Sequence, residues 1–317
     1  MKKPYVAVVG GTNIDIGGFS SKPIVPSDSN PGTVRMCPGG VGHNIADNLA
    51  RLGVPVVMLT AFGDDYFGKL LQSGESCNLD LSKAIIARNS NSGIYLYVSD
   101  CKGDMQVAIN DMSIMEAISE DYIMNNLDVL NNSEFVIIEA NLPKTAIDLV
   151  SKVCTKPIIA DTVSTIKAPK LNDAMRALKL LKPNMLELGF LSGTAVRDEA
   201  SFRKACRALL EKGPESLLVS AGSAGAVFCT KDKMIHCPVL AGTDVKNTTG
   251  AGDSLMAGFA YGMFRKLDSE GCLKHAMAAA QINTMSCNTV SENMSGELIS
   301  NIAGEIEIDE ELSGLFR

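Results

Sequence analysis

The sequence predicts an α/β fold in which helices cover both faces of a mainly parallel central sheet. Short runs rich in Val, Ile and Leu, without polar alternation, are typical of strands buried on both faces. Longer amphipathic stretches alternate with these runs. The chain has 317 residues, of which 46% are hydrophobic and 21% charged, so it can form a large core. No linker separates two halves, and we therefore expect one domain over residues 1–317.

The individual elements follow from the same periodicity. The runs that indicate strands are Tyr5–Val9, Val54–Thr60, Glu134–Ile138, Pro157–Ala160 and Leu217–Ser220. The stretches that indicate helices are Val41–Leu52, Lys144–Val153, Asn172–Leu180 and Glu199–Glu211. Their alternation is typical of a parallel sheet.

Two segments depart from this pattern. Residues 16–36 have no helical period, whereas residues 92–109 alternate as Ile94–Val98, turn, and resume as Met105–Ile109. The second pattern predicts a hairpin. We expect a small antiparallel sheet beside the main domain, formed by segments of about 14–38 and 90–112. It is either a lid over a site or an ordinary surface hairpin.

Composition and charge exclude several classes of protein. The formal net charge is −7 and no basic run interrupts it, which disfavours a nucleic-acid polymer or an anionic membrane as partner. No apolar run could span a membrane, and Tyr5–Val9 is too short for a signal peptide, so we expect a cytoplasmic protein. The nine Cys show no CxxC spacing, which indicates free thiols rather than disulfides or a zinc site.

Polar side chains follow the first predicted strand. Asn13 and Asp15 are spaced i, i+2, so in an extended segment they point the same way. A carboxylate beside an amide can bind a vicinal diol, because each hydroxyl both donates and accepts. The alternative for this pair is an Asx turn that caps the next segment.

A glycine-rich entrance precedes the first predicted helix. The segment Pro38–Asn44 contains Gly40 and Gly42, and glycine at a helix start lets the backbone approach a ligand closely. A tight turn without a ligand is the alternative.

The segment Asn247–Phe259 gives the sharpest signal. Gly250, Ala251 and Gly252 predict a turn at a helix start, where N–H groups and the helix dipole form an anion hole. Asp253 would repel a resting phosphate there, but it suits a base that takes a hydroxyl proton while the N–H groups hold a transferred phosphoryl. The alternative is a first-turn acid that complements the dipole. The sequence lacks the P-loop and protein-kinase motifs.

Segments 39–63 and 247–260 resemble the two signatures of the ribokinase-like (PfkB) carbohydrate kinases. The resemblance extends in order over nearly the whole chain and implies a ribokinase-like three-layer α/β/α sandwich with a small β-sheet lid. It implies an ATP-dependent sugar or nucleoside kinase, with Asp253 as the catalytic base and the glycine turn as the anion hole. The substrate-binding residues that it implies include Asn13, Asp15, Gly40, Gly42, Asn44 and Asp253.

The resemblance also implies sites for ATP and metal ions. Asn184 and Glu187 match the family's N-x-x-E motif, which helps to place Mg²⁺ and phosphate, although a helix cap with a first-turn acid has the same pattern. Segment 220–225 resembles the ATP loop. Asn247 and Thr249 stand where the family often binds a monovalent cation such as K⁺, and where Asp is commoner at the first position. The implied ATP-binding residues are Asn184, Ser220, Gly222, Gly225 and Gly252.

Segments 28–32, 38–46 and 107–112 look like those of bacterial pseudouridine kinases. This resemblance implies the 5′-hydroxyl of pseudouridine as the acceptor, with ribose or another ribonucleoside as the alternative. Asn110 and Asp111 would read the uracil, unless they form a simple turn. Asn141 stands where ribokinases usually have glutamate and joins the predicted substrate residues. Asp161 ends a strand and could also face the site.

The predicted lid also bears on partners. Its strands carry apolar side chains, among them Ile94, Leu96 and Val107, which could pair with a second lid in a homodimer. A ligand-sensing or structural protein on the same fold is the remaining class, because a fold alone does not guarantee activity. A missing base would indicate that class, and Asp253 is present.

Overall fold

The computed structural model describes residues 3–73, 77–240, 242–309, 312 and 314–316. The strands are β1 (Val6–Val9), β2 (Asn13–Ser20), β3 (Gly32–Gly39), β4 (Val56–Leu59), β5 (Ala61–Gly63), β6 (Leu79–Asp80), β7 (Ile85–Ala87), β8 (Gly93–Ser99), β9 (Met105–Asp111), β10 (Val136–Glu139), β11 (Ile158–Asp161), β12 (Leu178–Lys182), β13 (Leu217–Ser220), β14 (Ala226–Cys229) and β15 (Met234–Cys237). The helices are α1 (Val41–Arg51), α2 (Tyr66–Ser73), α3 (Glu120–Asn125), α4 (Leu127–Asn132), α5 (Lys144–Val153), α6 (Met185–Ser192), α7 (Glu199–Glu211), α8 (Ala251–Phe264), α9 (Ser269–Thr284) and α10 (Gly296–Glu305). Within the described ranges, no helix is both long and apolar enough to cross a membrane.

The central sheet has the strand order β15-β14-β13-β12-β11-β10-β1-β4-β6. Its strands run parallel except for β14, which is antiparallel to both β13 and β15. Side chains of α1, α8, α9 and α10 pack in one core cluster, and side chains of α3 to α7 pack in another. Val6 and Val8 of β1 belong to the first cluster, whereas Ala7 and Val9 belong to the second. The predicted α/β fold, with helices on both faces of a mainly parallel sheet, is confirmed.

Most predicted elements are present, and one is wrong. The five predicted strands appear as β1, β4, β10, β11 and β13, and three predicted helices appear as α1, α5 and α7. The helix predicted over Asn172–Leu180 is absent, because Leu178–Lys182 form strand β12 between β11 and β13. The spacing of Leu171, Met175 and Leu178 fits a helix, but burial within the sheet overrides this local pattern.

A second sheet of four strands has the order β3-β2-β8-β9. Strands β2 and β3 are antiparallel, and β8 and β9 form the hairpin predicted for residues 92–109. The expectation of a wholly antiparallel sheet is wrong, because β2 and β8 pair in parallel, beginning with Asn13 opposite Gly93. Both strands start beside the carboxyl end of β1 and run the same way, so the two antiparallel pairs join through parallel strands.

The two faces of this small sheet differ because side chains alternate along each strand. The strand register aligns Cys37, Asp15, Tyr95 and Asn110 in one row across the four strands. We call the face that carries this row the inner face. The opposite, outer face carries exposed apolar side chains, namely Val34, Met36, Leu96, Val107 and Ile109.

Candidate active site

Parallel strands of the central sheet end on charged side chains at one edge. Strand β10 ends at Glu139, β11 at Asp161 and β12 at Lys182. Parallel strands bring their carboxyl ends to the same edge, where open α/β folds bind ligands. Helices α1 and α8 pack against each other, and the first turns of both helices lie at this edge. The site is therefore formed by strand ends and helix N-termini.

Helix α8 begins with the glycine turn that the sequence predicts. Gly250 has a φ of 79°, in the left-handed region, and any side chain here would collide with the Thr289 carbonyl. Asp253 stands in the first turn, where backbone N–H groups lack partners within the helix. The N–H of Ala251 donates to the Thr248 carbonyl over 3.2 Å and closes the turn. The turn is confirmed, whereas its role as an anion hole stays a prediction.

Asn44 fixes the Asp253 carboxylate, since its Nδ2 donates to Asp253 Oδ2 over 2.7 Å. Burial and the neighbouring Asp161 raise the pKa of Asp253 to about 7, while Asn44 and Lys182 act in the opposite direction. A carboxylate that titrates near neutral pH is well suited to accept a proton. Asn44, which the sequence predicts to bind substrate, thus directly contacts the candidate base.

Glycines at the start of α1 bring this helix close to β1. A Cβ on Gly42 would lie 2.7 Å from Gly10 Cα, and one on Gly40 would lie 2.9 Å from Thr12 Cα. Gly40 also has a φ of 100°, which residues other than glycine rarely adopt. Both predicted substrate positions therefore require glycine for packing, and this close approach carries Asn44 to the sheet edge.

Asn13 and Asp15 lie side by side on the inner face at the base of β2. Asn13 Nδ2 donates to Asp15 Oδ1 over 2.6 Å, and the absence of a side chain at Gly39 leaves space for this carboxylate. Burial raises the pKa of Asp15 to about 6, although the Asn13 hydrogen bond lowers it. The segment is a strand rather than an Asx turn, so the amide and carboxylate stand together as predicted.

The structure separates Asn110 from Asp111. Asn110 lies on the inner face in the row of Asp15, with Tyr95 between them. Asp111 belongs to the outer face and accepts hydrogen bonds from the N–H and Oγ of Ser113, over 3.1 and 2.7 Å. Neighbouring strand residues point to opposite faces, which argues against a shared role of Asn110 and Asp111 in reading one base. Alternation within residues 94–98 would have identified Tyr95 instead.

Glu139 is fully buried at the end of β10, and the sequence did not predict it as a site residue. Its two carboxylate oxygens accept hydrogen bonds from the N–H groups of Gly11 and Asn141, each over 2.6 Å. Burial raises the pKa of Glu139 to about 7 despite these hydrogen bonds. Glu139 therefore ties the loop after β1 to the loop after β10. An acidic residue that ends an apolar strand was the available signal.

Lys167 orients the side chain of Asn141. Lys167 Nζ donates to Asn141 Oδ1 over 2.5 Å. An ammonium group is only a donor, so it is the amide oxygen that faces it and the NH₂ group that stays available for other partners. Lys167 is the first cation after Asp161 in the sequence, but in the structure it hydrogen-bonds Asn141. Burial lowers the pKa of Lys167, although the nearby Glu139 acts in the opposite direction.

Asp161 pairs instead with Lys182, which lies opposite it on β12. Asp161 Oδ2 and Lys182 Nζ are 2.7 Å apart, and the two side chains are 4% and 7% exposed. The N–H of Val163 donates to Asp161 Oδ1 over 2.8 Å. Lys182 also borders the start of α8, since a Cβ on Gly252 would lie 3.4 Å from Nζ. The sequence missed this pair because the helix predicted over Asn172–Leu180 concealed the strand that Lys182 ends.

Two predicted ATP residues meet beyond β12 and β13. Asn184 caps α6, because its Oδ1 accepts from the Glu187 N–H over 2.9 Å and its N–H donates to Glu187 Oε2 over 2.8 Å. Thr162 Oγ1 donates to the same carboxylate oxygen over 2.5 Å. Ser220 forms a β-bridge with Asn184. Asn184 and Glu187 thus form a helix cap, and binding of ATP and Mg²⁺ here stays a prediction.

Glycines shape the loop that follows β13. Gly222 and Gly225 have φ angles of 59° and 95°, which glycine adopts without strain. The N–H of Ala221 donates to the Gly225 carbonyl over 2.8 Å. The predicted ATP loop is thus a tight turn beside Ser220.

Asn247 and Thr249 lie next to each other before α8. Asn247 Oδ1 accepts from the Thr249 N–H over 2.9 Å, and Asn247 Nδ2 donates to the Cys287 carbonyl over 3.3 Å. Both ends of the Asn247 amide are therefore used within the protein.

A sequence profile of the pfkB family carbohydrate kinases matches residues 3–294. The pseudouridine kinase of Escherichia coli (strain K12) is 34% identical over 261 residues, which cover 82% of this chain and 83% of that protein. The ribokinase of Arabidopsis thaliana is 28% identical over 289 residues, covering 88% of this chain and 76% of that protein.

The solved structure of Arabidopsis thaliana ribokinase complexed with ribose and ATP has the same fold. It superposes with a TM-score of 0.86 at 24% identity, covering 95% of this chain and 98% of that chain.

The raised pKa of Asp253 predicts a pH-dependent stability difference. The folded protein keeps this proton up to about pH 7, whereas an aspartate in the unfolded chain loses it at about pH 4. The folded state is therefore destabilised as pH rises through this range. We expect Asp253→Asn to raise the free energy of unfolding at about pH 8 by on the order of 2 kcal/mol, and to have little effect near pH 4. Urea denaturation at several pH values measures this difference. The exposed Asp244→Asn is the control, and a pH-independent effect of Asp253→Asn would contradict the prediction.

Proposed function

Because the chain belongs to the pfkB family of carbohydrate kinases, we propose that it phosphorylates the 5′-hydroxyl of pseudouridine, with ATP as the phosphoryl donor. More generally, the chain is a sugar or nucleoside kinase of this family. The observation that carries the proposal is Asp253, which stands in the first turn of α8, accepts a hydrogen bond from Asn44 and has a pKa raised to about 7.

Asp253 acts as the general base in this proposal. It takes the proton of the 5′-hydroxyl while the oxygen attacks the γ-phosphorus, and the bond from that phosphorus to the oxygen that bridges it to the β-phosphorus breaks. The N–H groups of Gly250 and Gly252 stabilise the negative charge on the transferred group, while the Ala251 N–H closes the turn on the Thr248 carbonyl. Asn13 and Asp15 bind the ribose hydroxyls, for which their paired donor and acceptor groups are suited. ADP and the 5′-phosphate are the products.

We assign ATP and Mg²⁺ to the loops that follow β12 and β13 at the same sheet edge. Asn184, Ser220, Gly222 and Gly225 border the loops in which ATP would bind. Among the described residues, no group of three His, Cys, Asp or Glu could hold a metal ion by itself. This fits Mg²⁺, which proteins usually bind through a few carboxylates, substrate phosphates and water. Glu187 would act indirectly, since Thr162 and Asn184 already engage one of its oxygens.

Potassium does not enter the proposal. The Asn247 amide donates to the Cys287 carbonyl over 3.3 Å, and a monovalent cation at Asn247 and Thr249 stays a prediction. Thr249 likewise directs its N–H to Asn247.

The inner face supports a nucleoside rather than a free sugar. The row that begins with Asp15 continues through Tyr95 to Asn110, and these two side chains offer an aromatic surface and an amide for a base. The E. coli relative named pseudouridine kinase supports pseudouridine within this class. Ribose is the second candidate, because the Asn13–Asp15 pair could bind any ribose ring and the Arabidopsis relative is named ribokinase.

A substrate panel tests the proposal. We expect kcat/KM with ATP and Mg²⁺ to be about 100-fold higher for pseudouridine than for uridine, because a site that hydrogen-bonds the extra ring N–H of pseudouridine discriminates strongly. Ribose is the third arm of the panel. Equal or better turnover of uridine or ribose would overturn the pseudouridine assignment.

Variants of two neighbouring residues test where the nucleobase of the substrate binds. Asn110→Ala should raise KM for pseudouridine and leave turnover of ribose unchanged, since Asn110 belongs to the inner face. Asp111→Ala, on the outer face, is the matched control and should change neither.

Replacement of the general base Asp253 tests the proposed proton transfer. Asp253→Asn keeps an oxygen that can accept from Asn44 but cannot take a proton, so we expect kcat to fall by about 10³-fold with unchanged nucleoside affinity. Coupled turnover assays and isothermal titration calorimetry measure the two quantities. Turnover close to that of the wild type would exclude Asp253 as the base.

We also propose that the small sheet is a lid and that two copies of the chain pair through its outer face. Closure would exclude water, which competes with the nucleoside as acceptor. Five apolar side chains of the outer face are 41–71% exposed, and such a patch is typical of an interaction surface.

Charge on the outer face should therefore dissociate a dimer. We expect the wild type to be dimeric and the double variant Val107→Glu/Ile109→Glu to be monomeric by size-exclusion chromatography with light scattering. Val25→Glu, an exposed apolar position outside the small sheet, is the control. A monomeric wild type would refute pairing through the lid.

A further inference from the structure

We propose that Lys182 is a second catalytic side chain, whose ammonium group contacts the phosphoryl group during its transfer; this inference rests on the proposed kinase function. Lys182 ends β12 at the same edge as Asp253. Its side chain is only 7% exposed, and Asp161, its ion-pair partner, is 4% exposed. The ammonium group is therefore held inside the site rather than in solvent.

Lys182 borders the glycine turn that would hold the phosphoryl. Nζ lies 3.4 Å from the point that a Cβ on Gly252 would occupy, so the absence of a side chain there leaves the ammonium open toward the start of α8. Asp161 is the partner that the structure gives this ammonium among the described residues. Since an ammonium has three donors, about two remain for phosphoryl oxygens.

Asp161 acts as the anchor for this lysine. Its Oδ1 accepts from the Val163 N–H over 2.8 Å, while Oδ2 faces Lys182. The pairing fixes the ammonium between β11, β12 and α8. Although burial opposes the charge, Asp161, Asp253 and Glu187 together raise the pKa of Lys182, so the ammonium stays protonated.

Stability alone does not explain a buried ion pair in this position. Moving two charges out of water is costly, and apolar residues of similar volume in the same place often give equal stability. A transferring phosphoryl, in contrast, carries negative charge on three oxygens, and a preorganised cation beside it lowers the barrier. A positive charge beside Asp253 also favours its ionised form, which is the form that accepts the proton.

Lys182 is chemically unchanged by the phosphoryl transfer. The 5′-oxygen forms a bond to the γ-phosphorus, the bond from that phosphorus to the bridging oxygen of ADP breaks, and Asp253 receives the hydroxyl proton. Lys182 donates hydrogen bonds to the oxygens of the transferred group and keeps its own protons throughout.

Lys182→Met and the double variant Asp161→Asn/Lys182→Met test this inference. The single variant leaves Asp161 buried and unpaired, which destabilises the fold, whereas the double variant removes both charges. We expect the folded double variant to lose about 100-fold in kcat, with KM for the nucleoside changed by less than about threefold. Lys179→Met is the matched control, because Lys179 lies on the same strand but is exposed and pairs with Glu215 outside the site.

Calorimetry of ATP and ADP binding gives a second readout that needs no turnover. The double variant should bind ATP about 10-fold more weakly and ADP unchanged, because only ATP presents the γ-phosphoryl to Lys182. Wild-type kcat and an unchanged ATP-to-ADP preference in the double variant would overturn the inference. A wild type that phosphorylates none of the three substrates would instead refute the proposed function, while the calorimetry would still decide whether Lys182 contacts the γ-phosphoryl.

Discussion

Helix α1 can reach strand β1 only because glycine stands at both Gly10 and Gly42, since a Cβ on Gly42 would lie 2.7 Å from Gly10 Cα. This contact sets the depth at which α1 enters the sheet edge. It brings Asn44 within hydrogen-bonding distance of Asp253 and thereby fixes α8 against α1. Any side chain in place of either glycine would push α1 away from β1, separate the N-termini of α1 and α8, and open the site.

The electrostatics of the site follow from how few cations are buried with its carboxylates. Glu139 accepts hydrogen bonds from two backbone N–H groups rather than forming a direct ion pair, and Asp161 pairs with the ammonium of Lys182. Asp253 is left with an amide as its direct partner. Burial raises the pKa of both Asp253 and Glu139 to about 7. Both oxygens of Glu139 hold backbone N–H groups, whereas Asp253 stands in the first turn of α8 with Asn44 on one oxygen, so Asp253 is the carboxylate placed for proton transfer.

Local patterns predicted much of the site but not its charge pairing. The i, i+2 spacing of Asn13 and Asp15 predicted two side chains on one face, and the strand places them so. The same rule, applied to Asn110 and Asp111, argues against a shared role, because adjacent strand residues face opposite ways. Lys182 was missed for a different reason: leucine spacing before it fits a helix, and only burial between two neighbouring strands makes this segment β12.

The sequence by itself determined the α/β class, the order of most strands and helices, and the glycine turn before Asp253, because each depends on periodicity or backbone freedom within a few residues. The tertiary structure decided what lies across the sheet edge. It paired Asp161 with Lys182 rather than with Lys167, gave Glu139 its two N–H donors, and joined the small sheet through parallel strands. These contacts link residues far apart in the chain, and register and burial select them, which no local pattern specifies.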